Sequence, residues 1–317
     1  MARSPRQEIA DSLTVGAYRI GALLSQGVPT TLSATVGTLL GGPASIAMRE
    51  RRSMVERHMR RVVPGANSLE IRRLTQRVFD SYARYYVESF RLPSLSARQV
   101  AASFDVEGYE EHLIPALDRG NGVILALPHL GGWEWAGRWA ADLGNKMTVV
   151  VEPLDPPELF EWFVRLREKF GMRVIPVGPD AGAAALSALR ANEVLCLLSD
   201  RDISGGGVPT PFFGERTLLP AGPATLALRT GAALLPTAVY FSDRRDGHRG
   251  VIRAPIECSR QGRLRADVER ITGVLACELE DLIRAAPEQW HLLQPNWPSD
   301  PGYPFTVSDE SSQPNEP

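Results

Sequence analysis

From about residue 105 onward, short apolar runs alternate with stretches of helical periodicity, and this alternation constrains the fold more than any other feature of the chain. The runs fall at 122–127, 147–151, 173–177, 193–198, 234–241 and 251–256, with helical patterns at 133–143, 156–170, 181–190 and 222–230 and a last one at 266–285. Strand-length runs punctuated by amphipathic helices are how βαβ units read in sequence. The expected class is therefore α/β, with a twisted, mostly parallel or mixed central sheet flanked by helices. A chain of 317 residues accommodates one such domain with a helical extension as readily as two domains. The pattern itself indicates one α/β core over 105–305, a helical region over 1–104, and a polar tail at 306–317 that is too poor in apolar residues to fold.

The helical region divides in two. Residues 13–48 are rich in Ala, Gly, Leu, Ser, Thr and Val, but Arg19, Gln26 and Pro29 interrupt them, so they suit a helix pair lying on an apolar surface better than a membrane span. Arg49, Arg51, Arg52, Arg57, Arg60 and Arg61 follow directly, offset by Glu50 and Glu56. Such a cluster fits either an anionic lipid surface or a solvated helix face. Asn67 with Glu70 forms a capping-box signature, and Ile71, Leu74, Val78, Tyr82 and Tyr85 then recur at helical spacing, a stripe expected in a core.

Composition narrows the class further. With 44% hydrophobic and 23% charged residues the chain matches ordinary globular proteins, and a net charge of −2 gives no general attraction to nucleic acid. Cys196, Cys258 and Cys277 are too few and too scattered for a disulfide framework or a zinc site. The polar, charged first ten residues do not resemble a signal peptide, so action from inside the cell is expected.

In an open α/β sheet, ligands gather beyond the carboxyl ends of the strands. The run at 122–127 leads into Pro128-His129-Leu130-Gly131-Gly132-Trp133-Glu134, and that at 193–198 into Ser199-Asp200-Arg201-Asp202, so His129 and Asp200 should meet at one edge. A free histidine titrates near ~6.5 and serves as a general base, best when a carboxylate fixes its tautomer. Both Glu134 and Asp200 qualify as that carboxylate. On one regular helix Glu134 would stand about 140° from His129, which is poor for contact, so its approach depends on the Gly-Gly turn. Glu152 follows the second run and Arg167 lies on the next helix, positions that suit either an acceptor headgroup or an ion pair. His58, His112, His248 and His291 have no comparable setting and are expected to be structural or solvated. The Gly205-Gly206-Gly207 run lacks phosphate-loop spacing and reads as a turn, and no serine sits in a nucleophile elbow.

The segment 127–134 resembles the His-four-residues-Asp/Glu motif of glycerolipid acyltransferases, in a setting similar to the bacterial lipid A biosynthesis acyltransferases. A longer block strengthens the match: Asp200-Arg201-Asp202, then Phe212-Phe213-Gly214, then Pro220-Ala221-Gly222-Pro223-Ala224. Ser81 to Tyr86, Phe90 to Pro93, and Trp290 to Trp297 resemble the branch that acylates phosphatidylinositol mannosides. The resemblance spans most of the chain. It implies transfer of a palmitoyl-type chain from acyl-CoA, as co-substrate and without a cofactor or metal, to a mannose hydroxyl of a mannosylated phosphatidylinositol. The setting would be the cytoplasmic face of the plasma membrane, with the 1–104 region resting on an anionic surface. It also implies that His129 is the base, with Asp200 and Glu134 as the acids beside it, and that Glu152, Arg167, Arg201 and Asp202 contact substrate. An apolar tunnel for the acyl chain is expected, with a lining that the sequence does not identify. Competing readings are a lipid A-type lauroyl or myristoyl transferase using acyl carrier protein, a thioesterase or lipid hydrolase, and a noncatalytic lipid-binding protein.

Overall fold

A computed structural model describes residue 27 and residues 30–307, apart from 154, 155 and 245. The expectations for the chain start, for the first part of the helix pair and for most of the tail lie outside the described residues. Seven strands form one sheet: β1 (Phe104–Glu107), β2 (Val123–Leu127), β3 (Met147–Val151), β4 (Arg173–Pro176), β5 (Val194–Leu198), β8 (Ala233–Phe241) and β9 (His248–Ile252). Their order is β1-β9-β8-β2-β5-β3-β4, while β6 (Val208–Phe212) and β7 (Glu215–Leu219) make a separate antiparallel hairpin. From β8 to β4 all neighbours run parallel; β9 lies antiparallel on β8, and β1 parallel on β9. This is the mostly parallel, helix-flanked sheet that the alternation of runs predicts.

The helices are α1 (Thr30–Ala47), α2 (Arg49–Val62), α3 (Ser68–Arg91), α4 (Ala97–Ala102), α5 (Ile114–Asp118), α6 (Trp133–Asp142), α7 (Pro157–Lys169), α8 (Ala181–Arg190), α9 (Gly222–Thr230) and α10 (Leu264–Arg284). Strand alternation divides the core between the two faces of the sheet. Ile124 and Ala126 of β2 join the cluster packed under α2, α3, α9 and α10, whereas Val123, Leu125 and Leu127 join the one under α6 and α7. Asn67 caps α3 as its sequence signature predicts, its side chain accepting from Leu69 and Glu70 N–H while Glu70 returns a bond to the Asn67 N–H. In α1, Gly37 and Gly41 stand one turn apart against α3. A Cβ there would lie 2.6 Å from Arg84 Cα or 2.5 Å from Asp80 Cα, so the missing side chains let the two backbones meet.

Four strands, β1, β6, β7 and β9, escape the sequence pattern or depart from it; β7 opens on the polar residues Glu215, Arg216 and Thr217, which leave no apolar run. β1 is a short edge strand, Phe-Asp-Val-Glu, with too few apolar residues to register as a run. Pro209 and Pro211 disguise β6, which tolerates them because a two-stranded ribbon leaves one side of each strand unpaired. β9 begins at His248, three residues before the apolar run, because its first two residues are polar. Among the described residues no helix is long and apolar enough to cross a membrane.

Candidate active site

The register of two parallel strands assembles the reactive pair. Leu127 of β2 pairs with Leu198 of β5, and Ser199 N–H donates to Leu127 O at 2.8 Å, so the residues two places beyond each strand emerge side by side. These are His129 and Asp200. His129 Nδ1 lies 2.7 Å from Asp200 Oδ1, and the His129 backbone N–H donates to Asp200 Oδ2 at 3.0 Å. The Asp200 side chain is fully buried, whereas that of His129 is 25% exposed and open to a substrate. Burial alone would raise the Asp200 carboxyl, but the His129 imidazole and the donors converging on it hold the group below its ordinary value. A carboxylate so placed keeps the proton on Nδ1 and leaves Nε2 as the basic nitrogen.

The turn after His129 exists because glycine permits it. Gly131 has φ +59°, and a Cβ there would fall 2.1 Å from Val239 O; a Cβ on Gly132 would press within 2.7 Å of the His248 ring. The turn directs α6 away from His129 and sends Glu134 elsewhere. Buried Glu134 accepts from both Arg167 Nε (3.2 Å) and Nη2, and from the Tyr85 hydroxyl at 3.2 Å, and has no bond to His129. Burial would lower the Arg167 guanidinium, but Glu134 raises it overall; burial and then Glu134 push the Tyr85 phenol well up, so it stays protonated.

The remaining sequence candidates surround this pair. Glu152 follows β3 as Asp200 follows β5, and it pairs with Arg201, while Arg167 pairs with Glu134 and not with Glu152. Asp202 turns both oxygens into its own loop, accepting from Ser204 Oγ at 2.9 Å and Gly205 N–H at 2.6 Å, and so builds the turn that carries Arg201. The triple-glycine segment belongs to this turn.

An apolar cavity lies between α6 and the sheet. Its volume is about 110 Å³, and it is open at one side. Trp133, Leu127 and Leu198 line its end near His129, and Trp133 meets the His129 ring edge-on at 6.0 Å. Glu134 and Arg167 are polar members of the wall, and Tyr109, Val106 and Ile252 line it beneath β1 and β9. Cys196 also lines it, but burial and then Glu134 push its thiol up to about 12, which keeps it protonated and inert.

Spacing in the sequence gave no hint of how the C-terminal segment joins the site. The backbone N–H of His291 donates to His129 O at 2.7 Å, and Trp290 and Asn296 both bond to Asp200. Burial lowers His291 to about 3, with His129 adding to the effect, so its ring is neutral; Nε2 lies 2.8 Å from Ser81 Oγ. His58 and His248 are likewise buried, beside Asp300 and Glu88 respectively, consistent with structural roles. Only the resemblance of 290–297 to a known signature marked this stretch, and it assigned no role to any single residue.

Comparison with known proteins adds independent information. A family model described as bacterial lipid A biosynthesis acyltransferase matches residues 2–299. A protein of Mycobacterium tuberculosis (strain ATCC 25618 / H37Rv) named phosphatidylinositol mannoside acyltransferase is 42% identical over 225 residues, covering 70% of this chain and 69% of the relative. A protein of the same name from Mycolicibacterium smegmatis (strain ATCC 700084 / mc(2)155) is 35% identical over 303 residues, 95% of this chain and 96% of the relative.

Proposed function

The chain belongs to the bacterial lipid A biosynthesis acyltransferase family, and from that premise we propose that this acyltransferase moves a palmitoyl-type chain from acyl-CoA to a mannose hydroxyl of a phosphatidylinositol mannoside, with His129 as general base. The observation behind this reading is the His129–Asp200 pair standing at one end of an apolar cavity, in a chain whose relatives are named for that acceptor.

In this scheme the acyl chain lies in the cavity under α6 and the thioester carbonyl rests beside His129. The acceptor hydroxyl gives its proton to His129 Nε2 as its oxygen attacks the carbonyl, and Asp200 stabilises the imidazolium that forms. Backbone N–H groups at the start of α6, which no side chain caps, are the donors this scheme assigns to the developing oxyanion. Collapse of the adduct expels the CoA thiolate, which takes the proton back from His129. A thioester is already activated, so the scheme uses neither a metal nor a covalent enzyme intermediate. Glu152 and Arg201 sit at the open edge, where they contact the sugar headgroup. Arg167 and Glu134 form the polar wall between headgroup and chain, and Asp202 acts by shaping the loop beneath Arg201.

The membrane face is assigned to the N-terminal helices. α1 exposes Leu39 (70%), Ile46 (68%), Leu40 (51%) and Leu32 (46%), a concentration of apolar side chains unusual for a solvated helix. Arg49, Arg51, Arg57 and Arg60 of α2 are exposed close by, whereas Arg61 turns inward to Glu215 and Asp300. This combination suits peripheral attachment to an anionic leaflet, at the cytoplasmic face of the plasma membrane.

The test is a product analysis. Full-length protein is incubated with isotopically labelled palmitoyl-CoA and, separately, mannosylated phosphatidylinositol, a lipid A precursor, or buffer. Label in an ester of the mannosylated lipid is expected. Label in the lipid A precursor would establish the lipid A reading instead, and label released as free fatty acid regardless of acceptor would establish a hydrolase.

A further inference from the structure

The sequence signature at 290–297 has no part in the mechanism above, yet it touches both members of the reactive pair. Trp290 is 1% exposed, and its indole N–H donates to Asp200 Oδ2 at 2.7 Å, the same oxygen that accepts from the His129 backbone N–H. Asn296 Nδ2 donates to the Asp200 main-chain oxygen at 3.0 Å. On the other side, Leu130 forms a β-bridge with Trp290, Gly131 N–H donates to Gln289 O at 3.0 Å, and His291 N–H donates to His129 O. The loops after β2 and β5 are thus both tied to one strap. That strap is pinned in turn by Asp300, which accepts from the Asn296 and Trp297 backbone N–H groups and lies 3.3 Å from His58.

We infer that Trp290 is a positioning residue for the acyl transfer: its indole N–H fixes the Asp200 carboxylate so that the other oxygen holds the His129 Nδ1 proton. This rests on the reading of His129 as the base. An indole suits the task because it donates without accepting, and so cannot compete for the imidazole proton. Its own orientation is set by Phe212, Phe213, Trp297 and His58, whose ring centres lie 5.6–6.4 Å from that of Trp290. With three donors on a fully buried carboxylate, Asp200 has one orientation available, and that orientation fixes both the tautomer and the tilt of His129.

The experiment measures acceptor-dependent CoA release by the full-length chain, from palmitoyl-CoA and phosphatidylinositol mannoside. The variants are His129→Ala, Asp200→Asn, Trp290→Phe and the double variant Asp200→Asn with Trp290→Phe. Trp290→Phe should lower kcat roughly 10- to 100-fold, the usual consequence of a misplaced reacting group, with KM little changed. In the Asp200→Asn background the Trp290 substitution should add nothing, because its effect runs through that carboxylate. A normal kcat, a loss confined to KM, or an equal loss in the Asp200→Asn background would each overturn the inference. Should Trp290→Phe fail to fold, the Trp290 indole proton in the intact chain provides the readout. It should resonate downfield and shift in Asp200→Asn, and an unshifted resonance refutes the contact. Activity surviving in His129→Ala would remove the base assignment and this inference with it. Activity lost in His129→Ala and Asp200→Asn but normal in Trp290→Phe would remove this inference alone.

Discussion

Enlarging Ala140 to Phe should shorten the acyl chain that the protein uses. Ala140 is buried in the cavity wall on α6, seven positions beyond Trp133. At ~1.5 Å per residue it lies about 10 Å along the helix from the end of the cavity near His129. A phenyl ring there blocks the distal part of the channel and leaves the reacting end untouched. If it displaces everything beyond about eight carbons, a sixteen-carbon chain loses four more buried methylenes than a twelve-carbon one, about 3 kcal/mol of donor binding at ~0.8 kcal/mol each. The ratio of kcat/KM for the two donors should then fall on the order of 100-fold. The assay is acceptor-dependent CoA release from ten-, twelve-, fourteen- and sixteen-carbon acyl-CoA by wild type and Ala140→Phe, with circular dichroism to confirm folding. A folded variant whose ratio stays within twofold of wild type would show that the chain does not run along α6.

Three further expectations follow from the geometry. Arg167→Met strips the buried Glu134 of its cation and should destabilise the fold by about 3–5 kcal/mol, with Glu134→Gln in the same chain restoring much of the loss; urea denaturation of the single and double variants checks both. His291, lowered to about 3, is neutral in the fold but protonates near 6.5 when unfolded, so its contribution is complete above pH 6.5 and declines as the pH falls toward 3. At pH 5 the decline is about 2 kcal/mol, and His291→Gln should flatten the dependence of urea midpoints on pH between 6.5 and 5; an unchanged slope would mean the ring is not buried neutral. Finally, Leu39→Ser with Ile46→Ser should reduce co-sedimentation with anionic vesicles severalfold while leaving turnover of a short-chain donor intact, and equal loss of both would place α1 within the catalytic core.

The sheet was legible in the sequence because parallel strands buried on both faces read as continuous apolar runs, and the helices 181–190 and 222–230 were bounded correctly by periodicity alone. The meeting of His129 and Asp200 was legible for a related reason, since each stands two residues past a run and adjacent parallel strands present equivalent ends together. The partner of Glu134 was not legible. It depends on the positive φ of Gly131, which sets the direction of α6, and on Arg167 reaching over from α7. Tyr85 read as one more core aromatic, which it is, but its hydroxyl also reaches Glu134. The contacts of Trp290 and Asn296 with Asp200 join segments distant in sequence, and periodicity and short-range spacing contain no information about such pairs.

The central claim is that His129 removes the proton from an acceptor hydroxyl, and it is tested most directly by CoA release from palmitoyl-CoA. Wild type and His129→Ala are compared, each with and without phosphatidylinositol mannoside. The account predicts release that rises with acceptor in wild type and falls on the order of 10²–10⁴-fold in the variant. Acceptor-stimulated release that persists in His129→Ala would contradict it.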